Sequence, residues 1–485
     1  MSVRVRYAPS PTGPWHIGNA RTGLINWLVA RHLGGSLILR IEDTDQERSR
    51  PEFEQEILQG LAWLGMNYDE FYRQSDRTDI YTRHLTRLAE SGRIFRCPHG
   101  EVRTEKPTEQ NYAPHVCEHR DGSSETGIYR FRNDEADAIV FMDVIRGEIR
   151  VDPKILGDFS VAIDLSRPLF LMANTIDDGE MEISHVIRGE DHIPNTAKQQ
   201  LLRAALGFPE PVWAHMPLIL GPDRTKLSKR HGDASVLEFR DKGYLPDAMF
   251  NFMALLGWHP SDDREVLTRD ELVKTFSLDR MQKGGAIFDT EKLLWINREY
   301  ARMLDDDALA QLLIPFLVRA GHIRPTIVDT TSPVGLGAHA PEVSHTYADG
   351  RPLSFEALKQ FACIVKERFT TLQDIVREHP FFFDDPAYES SLLLWKGKEL
   401  ATEARDILRD IERLLETLPE NADETSFESA LMPFAESRGR GNVLWPLRVA
   451  LSGRDKSPGP FAIMSVIGRE DSIRRINHAI SLLEA

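Results

Sequence analysis

Cysteine is nearly missing from this chain of 485 residues, which has three. Three thiols cannot build a disulfide framework, so the sequence reads as that of a protein from a reducing compartment, the cytoplasm. Long apolar runs are missing too. None approaches the roughly 18 residues of a membrane span, and the opening Met1-Ser-Val-Arg-Val-Arg has no apolar signal core. Positive charge is in deficit: 59 Lys and Arg face 75 Asp and Glu, for a net charge of −16. Alone, that argues against a nucleic-acid binder, but phosphates meet local patches rather than a whole-chain charge. The charge is unevenly spread. Residues 399–436 hold 3 basic and 11 acidic groups, and residues 438–475 hold 8 and 3. Internal repeats, low-complexity tracts, a Walker loop and a G-x-G-x-x-G fingerprint are all absent. With 41% hydrophobic and 28% charged residues, what remains is an ordinary multidomain enzyme of about three domains.

The pattern along the chain is organised. Val3, Val5 and Tyr7 alternate with Arg4 and Arg6, which predicts a strand. A loop of Pro9, Pro11, Gly13 and Pro14 follows, then a helical stripe from Ile17 to His32. Ser36–Glu42 predicts a second strand, and Pro51 opens a helix that Gly65 stops. Strand, helix, strand, helix implies a parallel sheet with crossovers. From 96 to 168 the segments are shorter and broken by turns, and the earlier style returns near 169–208. Residues 306–485 are helix-dominated, with helical spacing over Phe355–Asp374, Ala401–Leu418 and Asp471–Leu483. The Pro-, Gly-, Thr- and His-rich segment 320–353 reads as a linker or insertion.

Two stretches point to phosphate chemistry. Ser10-Pro-Thr-Gly-Pro-Trp-His16-Ile-Gly18-Asn19 joins a strand to a helix. A helix start offers free N–H groups and a positive dipole end. Gly18 allows close approach of a flat ligand, and His16 can donate to a phosphoryl oxygen. Far downstream, Lys226-Leu-Ser228-Lys229-Arg230 places three cations in five residues on a glycine-bounded loop, suited to clamping a polyphosphate. Alone, each motif reads as readily as a helix cap or a solvated basic loop.

Together they resemble the two signatures of class I aminoacyl-tRNA synthetases, here His-Ile-Gly-Asn and Lys-Leu-Ser-Lys-Arg. Tyr-Ala-Pro-Ser-Pro-Thr-Gly (7–13), Arg-Ile-Glu-Asp-Thr-Asp (40–45), His-Val-Ile-Arg-Gly-Glu-Asp-His (185–192) and Pro-Leu-Arg-Val-Ala-Leu-Ser-Gly (446–453) are similar to bacterial glutamyl-tRNA synthetase over nearly the whole chain. The resemblance implies an α/β Rossmann-type catalytic domain split by an inserted acceptor-stem-binding domain, then a mainly α-helical anticodon-binding domain. The boundaries it suggests are 1–95 and 169–215 for the catalytic halves, 96–168 for the insert, 216–305 for a stem-contact region with the KLSKR loop, and 306–485 for the helical domain.

The implied activity is ATP-dependent attachment of L-glutamate to tRNA(Glu) by a monomer, through a glutamyl-adenylate, with Mg2+ accompanying the ATP. His16 and Lys229 match the family's phosphate-stabilising positions. Gly18, Asn19, Lys226, Ser228 and Arg230 belong to the same ATP-binding signatures. Arg6 and Arg188 match the arginines that bind the glutamate side chain. Arginine suits this task because its planar fork pairs bidentately and stays charged. Ser10, Glu42 and Asn174 match other amino-acid contacts, with Glu42 facing the ammonium. Two positions depart from the family: Phe170 stands where a tyrosine hydroxyl usually contacts the amino acid, and Gly179 where a histidine is usual. The expectation is weaker glutamate binding or a rearranged pocket.

Cys97-Pro-His99 and Cys117-Glu-His119 form two C-x-H pairs suited to tetrahedral zinc, with His115 as a nearby substitute. Some members of the family bind a structural zinc in this insert. Cys363, in a helical stretch, is expected in a core. The basic stretch 438–475 is a candidate for phosphate contacts, and Arg368 lies near a position that inspects an anticodon base. The C-terminal region also decides whether tRNA(Gln) is glutamylated as well. A glutamyl-queuosine tRNA synthetase is disfavoured by length, a glutaminyl enzyme by the helical C-terminal region, and a non-catalytic tRNA-binding paralogue by the presence of all the site residues.

Overall fold

The alternation at the N-terminus becomes the centre of a seven-stranded sheet in the computed structural model, which describes residues 2–45, 47–99, 114–121, 124–227, 235–325, 345–395 and 400–484. Contacts divide the chain into two units, Met1–Asp241 with Pro246–Ile296, and Lys242–Leu245 with Asn297–Ala485. In the first unit the chain alternates β1 (Arg4–Tyr7), α1 (Ile17–His32), β2 (Ser36–Ile41), α2 (Pro51–Trp63), β3 (Glu70–Arg73) and α3 (Thr78–Glu90). Then come strands β4 (Ile94–Cys97), β5 (Ile128–Phe131), β6 (Ile139–Asp143), β7 (Gly147–Val151), β8 (Ser160–Asp164) and β9 (Arg167–Pro168). The unit continues with α4 (Phe170–Glu180), β10 (His185–Gly189), α5 (Ile193–Leu206), β11 (Val212–Met216), β12 (Ile219–Leu220), α6 (Val236–Asp241), α7 (Pro246–Leu255), α8 (Arg269–Thr275) and β13 (Ala286–Ile287).

The main sheet runs β3-β2-β1-β10-β11-β6-β7. It is parallel from β3 to β6, and β7 returns antiparallel. Strand order reverses between β1 and β10, and such a switch point opens a crevice at the strands' C-terminal ends. The turn-broken segment divides its strands. β4, β5, β8 and β9 form a separate antiparallel sheet, while the β6–β7 hairpin extends the main one. Local alternation cannot tell which sheet a strand will join.

Helix α1 is buried on nearly every side, from Ile17 to Ala30. It covers the sheet face of Tyr7, whose ring lies against Gly23. Trp15 is 1% exposed and lies so close to α2 that a Cβ on Gly60 would fall 2.1 Å from its ring. That contact anchors the segment leading into α1. On α4, Gly179 has the same kind of constraint. A Cβ there would fall 2.2 Å from the Phe208 ring, so any larger residue at 179 requires that ring to move.

The second unit is helical, with α10 (Asp306–Ala320), α11 (Phe355–Lys366), α12 (Leu372–Glu378), α13 (Ala401–Glu416), α14 (Glu424–Arg438), α15 (Arg440–Ser452) and α16 (Pro460–Glu484), following α9 (Thr290–Met303). The helical stretch expected over 355–374 is two helices, because Thr371 caps a new start by accepting from the Asp374 N–H. Arg368 lies in the turn between them. Cys363 is exposed rather than in a core. The buried stripe of α11 is Leu358, Phe361, Ala362 and Val365, and position 363 points away from it. The ends of the expected linker pair as strands, with Ile323–Pro325 against His345–Tyr347 and then Pro352–Leu353. Residues 326–344 lie outside the described residues. Much of the basic stretch 438–475 is engaged internally. Arg440 pairs with Glu436, Arg454 donates to the Glu378 carbonyl, Arg474 pairs with Asp385, and buried Arg475 donates to the carbonyls of Phe381, Leu451 and Asp384. Among the described residues no helix is long and apolar enough to cross a membrane.

Candidate active site

Strand register puts an unusual set of residues on one face of the sheet. Arg6 pairs with Ile38 and Arg188 with His215. Because side chains alternate along a strand, Arg6, Arg40, Arg188 and His215 all emerge on the face opposite α1. Helix α4 adds Asn174 and Asp178, four residues apart and therefore neighbours on the same side. All six are buried, as is Glu42 just beyond β2.

Charges in such a layer survive only if each finds a partner. Arg40, with 0% exposure, is the hub. Its Nη2 donates to Glu42 Oε1 at 3.0 Å and its Nη1 to Asp178 Oδ1 at 2.8 Å, while its Nε lies 3.8 Å from Asp177. Arg6 Nε donates to the same Asp178 oxygen at 3.0 Å. Burial alone would raise the Asp178 carboxyl, but Arg6 and Arg40 outweigh it and hold it at about 2. Glu42 goes the other way. Burial, against the pull of Arg40, pushes its carboxyl above the ordinary range. Glu42 Oε1 also accepts from Asn174 Nδ2 at 2.5 Å, and Oε2 accepts from none of the described residues. A cation beside Oε2 would relieve that burial.

Arg188 is different, because all its partners are neutral. Nη2 donates to Thr196 Oγ1 at 2.7 Å and Gln199 Oε1 at 2.6 Å, and Nε to His215 Nε2 at 3.3 Å. Its guanidinium lies over the Trp213 ring, 5.5 Å from the centroid. Among the described residues no carboxylate pairs with it, and Nη1 has no acceptor. Burial, reinforced by Arg6, lowers its pKa from the usual guanidinium value. A buried cation without a counter-ion favours an anionic ligand.

These groups share one cleft of about 320 Å³. Arg6, Ser10, Glu42, Phe170, Asn174 and Arg188 line it together with His16, Gly18, Asn19 and Lys226. His16 caps α1. Its Nδ1 accepts from the Asn19 N–H at 3.4 Å, which leaves Nε2 to carry the proton of the neutral ring. A Cβ on Gly18 would fall 3.1 Å from the His16 ring, so glycine keeps that approach open. Lys226 Nζ lies 3.7 Å from Asp191. Ser228, Lys229 and Arg230 lie outside the described residues. Phe170 packs against His192, with ring centroids 5.9 Å apart. Burial and Arg188 hold His192 down at about 4, so it is neutral at pH 7.

Sequence reading did not single out Arg40, Asp178, Thr196, Gln199 or His215. Arg40 stands inside a quoted motif, and the Asp177–Asp178 pair ends the continuously buried Leu171–Asp178 stretch of α4. Adjacent carboxylates on a buried helix were the signal available.

A second cluster lies beyond β4. Cys97 Sγ is 3.4 Å from Cys117 Sγ, 3.6 Å from His99 Nδ1 and 3.4 Å from His115 Nε2, and Cys117 Sγ is 3.7 Å from His99 Nδ1. Zinc bonds of about 2.3 Å to sulfur and 2.0–2.1 Å to nitrogen in a tetrahedron set donors about 3.3–3.8 Å apart, so this set fits. The fourth side chain in this cluster is His115, not His119. The His119 ring stacks on His99 and its Nε2 faces Glu118 on the exposed side. Asp158 fixes the bend by accepting the Cys117 N–H at 2.9 Å.

Comparison with known proteins agrees with this geometry. Residues 2–295 match the catalytic domain of class I tRNA synthetases (E and Q), and residues 308–480 match an anticodon binding domain. The chain is 37% identical over 504 aligned residues to glutamate–tRNA ligase 1 of Caldanaerobacter subterraneus, covering 99% of this chain and 98% of that one. The chain belongs to the glutamate–tRNA ligase family. The family's enzyme from Aquifex aeolicus is likewise 37% identical, over 99% of each chain. Among solved structures, the glutamate tRNA ligase of Elizabethkingia meningosepticum in complex with its amino acid superposes with a TM-score of 0.82 at 31% identity, covering 99% of each chain. The two matched domains correspond to the two parts seen here, the parallel sheet with its cleft and the helical C-terminal unit.

The Asp178 pairing has a pH signature. Its carboxyl is held below its unfolded value, so the stabilisation is complete above about pH 4 and is lost as pH falls through about 2. Asp178→Asn should remove about 2–3 kcal/mol of that pH-dependent stability. Denaturant titrations of both proteins between pH 2 and 5 should show a steeper acid loss in the native protein, and parallel curves would contradict the pairing.

Proposed function

We propose that this ligase attaches glutamate to tRNA(Glu) through a glutamyl-adenylate formed in the cleft between β1 and β10. The observation that carries the reading is Arg188, a buried cation with neutral partners only, in the same cleft as the helix start of His16 and Gly18. One end calls for an anionic side chain and the other handles phosphates. Arg188 Nη1 and the free edge of Arg6 take the side-chain carboxylate, Glu42 Oε2 takes the ammonium, and Ser10 and Asn174 flank it. Glutamine would leave Arg188 without a counter-ion, a loss of about 3–5 kcal/mol.

In the first step an α-carboxylate oxygen of glutamate attacks the α-phosphorus of ATP. The bond to the bridging oxygen breaks and diphosphate leaves. The protein positions the reactants and stabilises charge. His16 donates from Nε2 to a phosphoryl oxygen, Gly18 and Asn19 present the start of α1, and Lys226 adds a cation. Ser228, Lys229 and Arg230 are assigned to the leaving phosphates on their motif. In the second step a ribose hydroxyl at the tRNA 3′ end attacks the acyl carbon and AMP leaves. Magnesium bound to the ATP phosphates supplies charge neutralisation, and Asp191, the cleft's exposed carboxylate, would share it.

Cys97, His99, His115 and Cys117 would hold a zinc ion that staples the segment after β4. Elemental analysis of the purified protein should find close to one zinc per chain, lost in Cys117→Ser. Well under one in the native protein would contradict the site.

In aminoacylation assays Arg188→Met should raise the glutamate KM about 100-fold or more while the ATP KM moves less than about threefold. An unchanged glutamate KM would overturn the assignment. In the same assay Phe170→Tyr should lower the glutamate KM, because it returns a hydroxyl to the wall beside His192.

A further inference from the structure

Arg188 is held by a chain of groups that reaches out of the cleft into the β6–β7 hairpin. Asp143 ends β6, His215 stands near the end of β11, and both side chains have 0% exposure. The carboxylate of Asp143 is surrounded by donors. Oδ1 accepts the N–H groups of Ile145 at 2.9 Å and Arg146 at 2.7 Å, and Oδ2 accepts the His215 N–H at 2.9 Å. Oδ2 also lies 2.7 Å from His215 Nδ1. An ionised carboxylate can only accept, so Nδ1 carries the proton and Nε2 presents a lone pair. That lone pair faces Arg188 Nε at 3.3 Å and Thr196 Oγ1 at 2.9 Å.

We propose that Asp143 and His215 are a positioning pair, which fixes the fork of Arg188 in register for the glutamate side chain. The inference rests on the assignment of Arg188 made above. The chemistry explains why the support is indirect. A carboxylate placed directly on Arg188 would neutralise the charge that the ligand needs. An imidazole lone pair orients the same N–H and leaves the charge in place. The carboxylate stands one residue further away and sets the tautomer. The register of β11 against β10 places His215 directly opposite Arg188, and the pairing of Trp213 with Asp143 places the hairpin beside them. Strand β6 comes from the turn-broken segment, so that segment also supports the amino-acid site from behind His215.

Three variants test this in the full-length enzyme. Asp143→Asn can donate from its amide to Nδ1, which moves the ring proton to Nε2 and turns a donor toward a donor. His215→Phe keeps the ring and its stack on Trp213 but removes the acceptor. His215→Gln returns an acceptor oxygen near the Nε2 position. Glutamate KM should rise about tenfold or more in the first two, with kcat and ATP KM nearly unchanged, and stay within about threefold in the third. Arg188→Met is run alongside. An unchanged glutamate KM in that variant would overturn the Arg188 assignment and this inference with it. A raised KM in Arg188→Met but not in Asp143→Asn and His215→Phe would overturn the pair's role alone. If Asp143→Asn does not fold, the contrast between His215→Phe and His215→Gln decides, since a merely structural role predicts that both lose stability without a selective rise in glutamate KM.

Discussion

A layer of charge buried on one face of a parallel sheet is the constraint on which the rest of the molecule depends. Arg40 has no exposure and is satisfied only because Glu42 and Asp178 meet its guanidinium at 3.0 and 2.8 Å, with Asp177 at 3.8 Å. Removing one member of such a set costs about 3–5 kcal/mol, because it leaves another charge stranded. The layer therefore fixes the relative placement of β1, β2 and α4. The cleft-lining groups Arg6, Glu42 and Asn174 are tied into it through Asp178 and Arg40. Their geometry is set before any ligand arrives, which is the condition for electrostatic stabilisation without reorganisation.

The cleft then acquires two characters from two sources. The amino-acid end is built from strand ends and α4, and its chemistry is that of buried, oriented charge. The phosphate end is the start of α1, exposed, with backbone N–H groups and a single imidazole held by its own cap. Burial separates them. On the proposed reading, the first end tells a carboxylate from an amide because an uncompensated buried cation is costly. The second needs only to present donors. Both lie at the place where strand order reverses, where a parallel sheet leaves room for a ligand.

Much of this was legible in the sequence where the signal is local. The alternation before the first loop, the proline at the start of α2 and the His16 motif each have a near-neighbour cause, and β1, α2 and the start of α1 are where those causes put them. Arg6, Glu42 and Arg188 were singled out through motifs, and the fold brings them to one cleft. The residues that hold them there were not, because their placement depends on register across strands distant in sequence: His215 is opposite Arg188 only once β10 and β11 are paired. The same applies to the β6–β7 hairpin, which joins the main sheet although its neighbours in sequence form another. The C-x-H spacing singled out Cys97, His99 and Cys117, which lie together, but the fold of the bend, fixed by Asp158, brings His115 rather than His119 to the thiols. Cys363 was misplaced because a single helical stripe can be read one position off.

The measurement that tests the central claim most directly is aminoacylation of purified tRNA(Glu) and tRNA(Gln), with labelled glutamate and labelled glutamine run in parallel. A buried Arg188 awaiting a carboxylate predicts that glutamate is attached to tRNA(Glu) and that glutamine is attached to neither tRNA. Attachment of glutamine, or failure to attach glutamate to either tRNA under conditions where a known synthetase charges both, would contradict it.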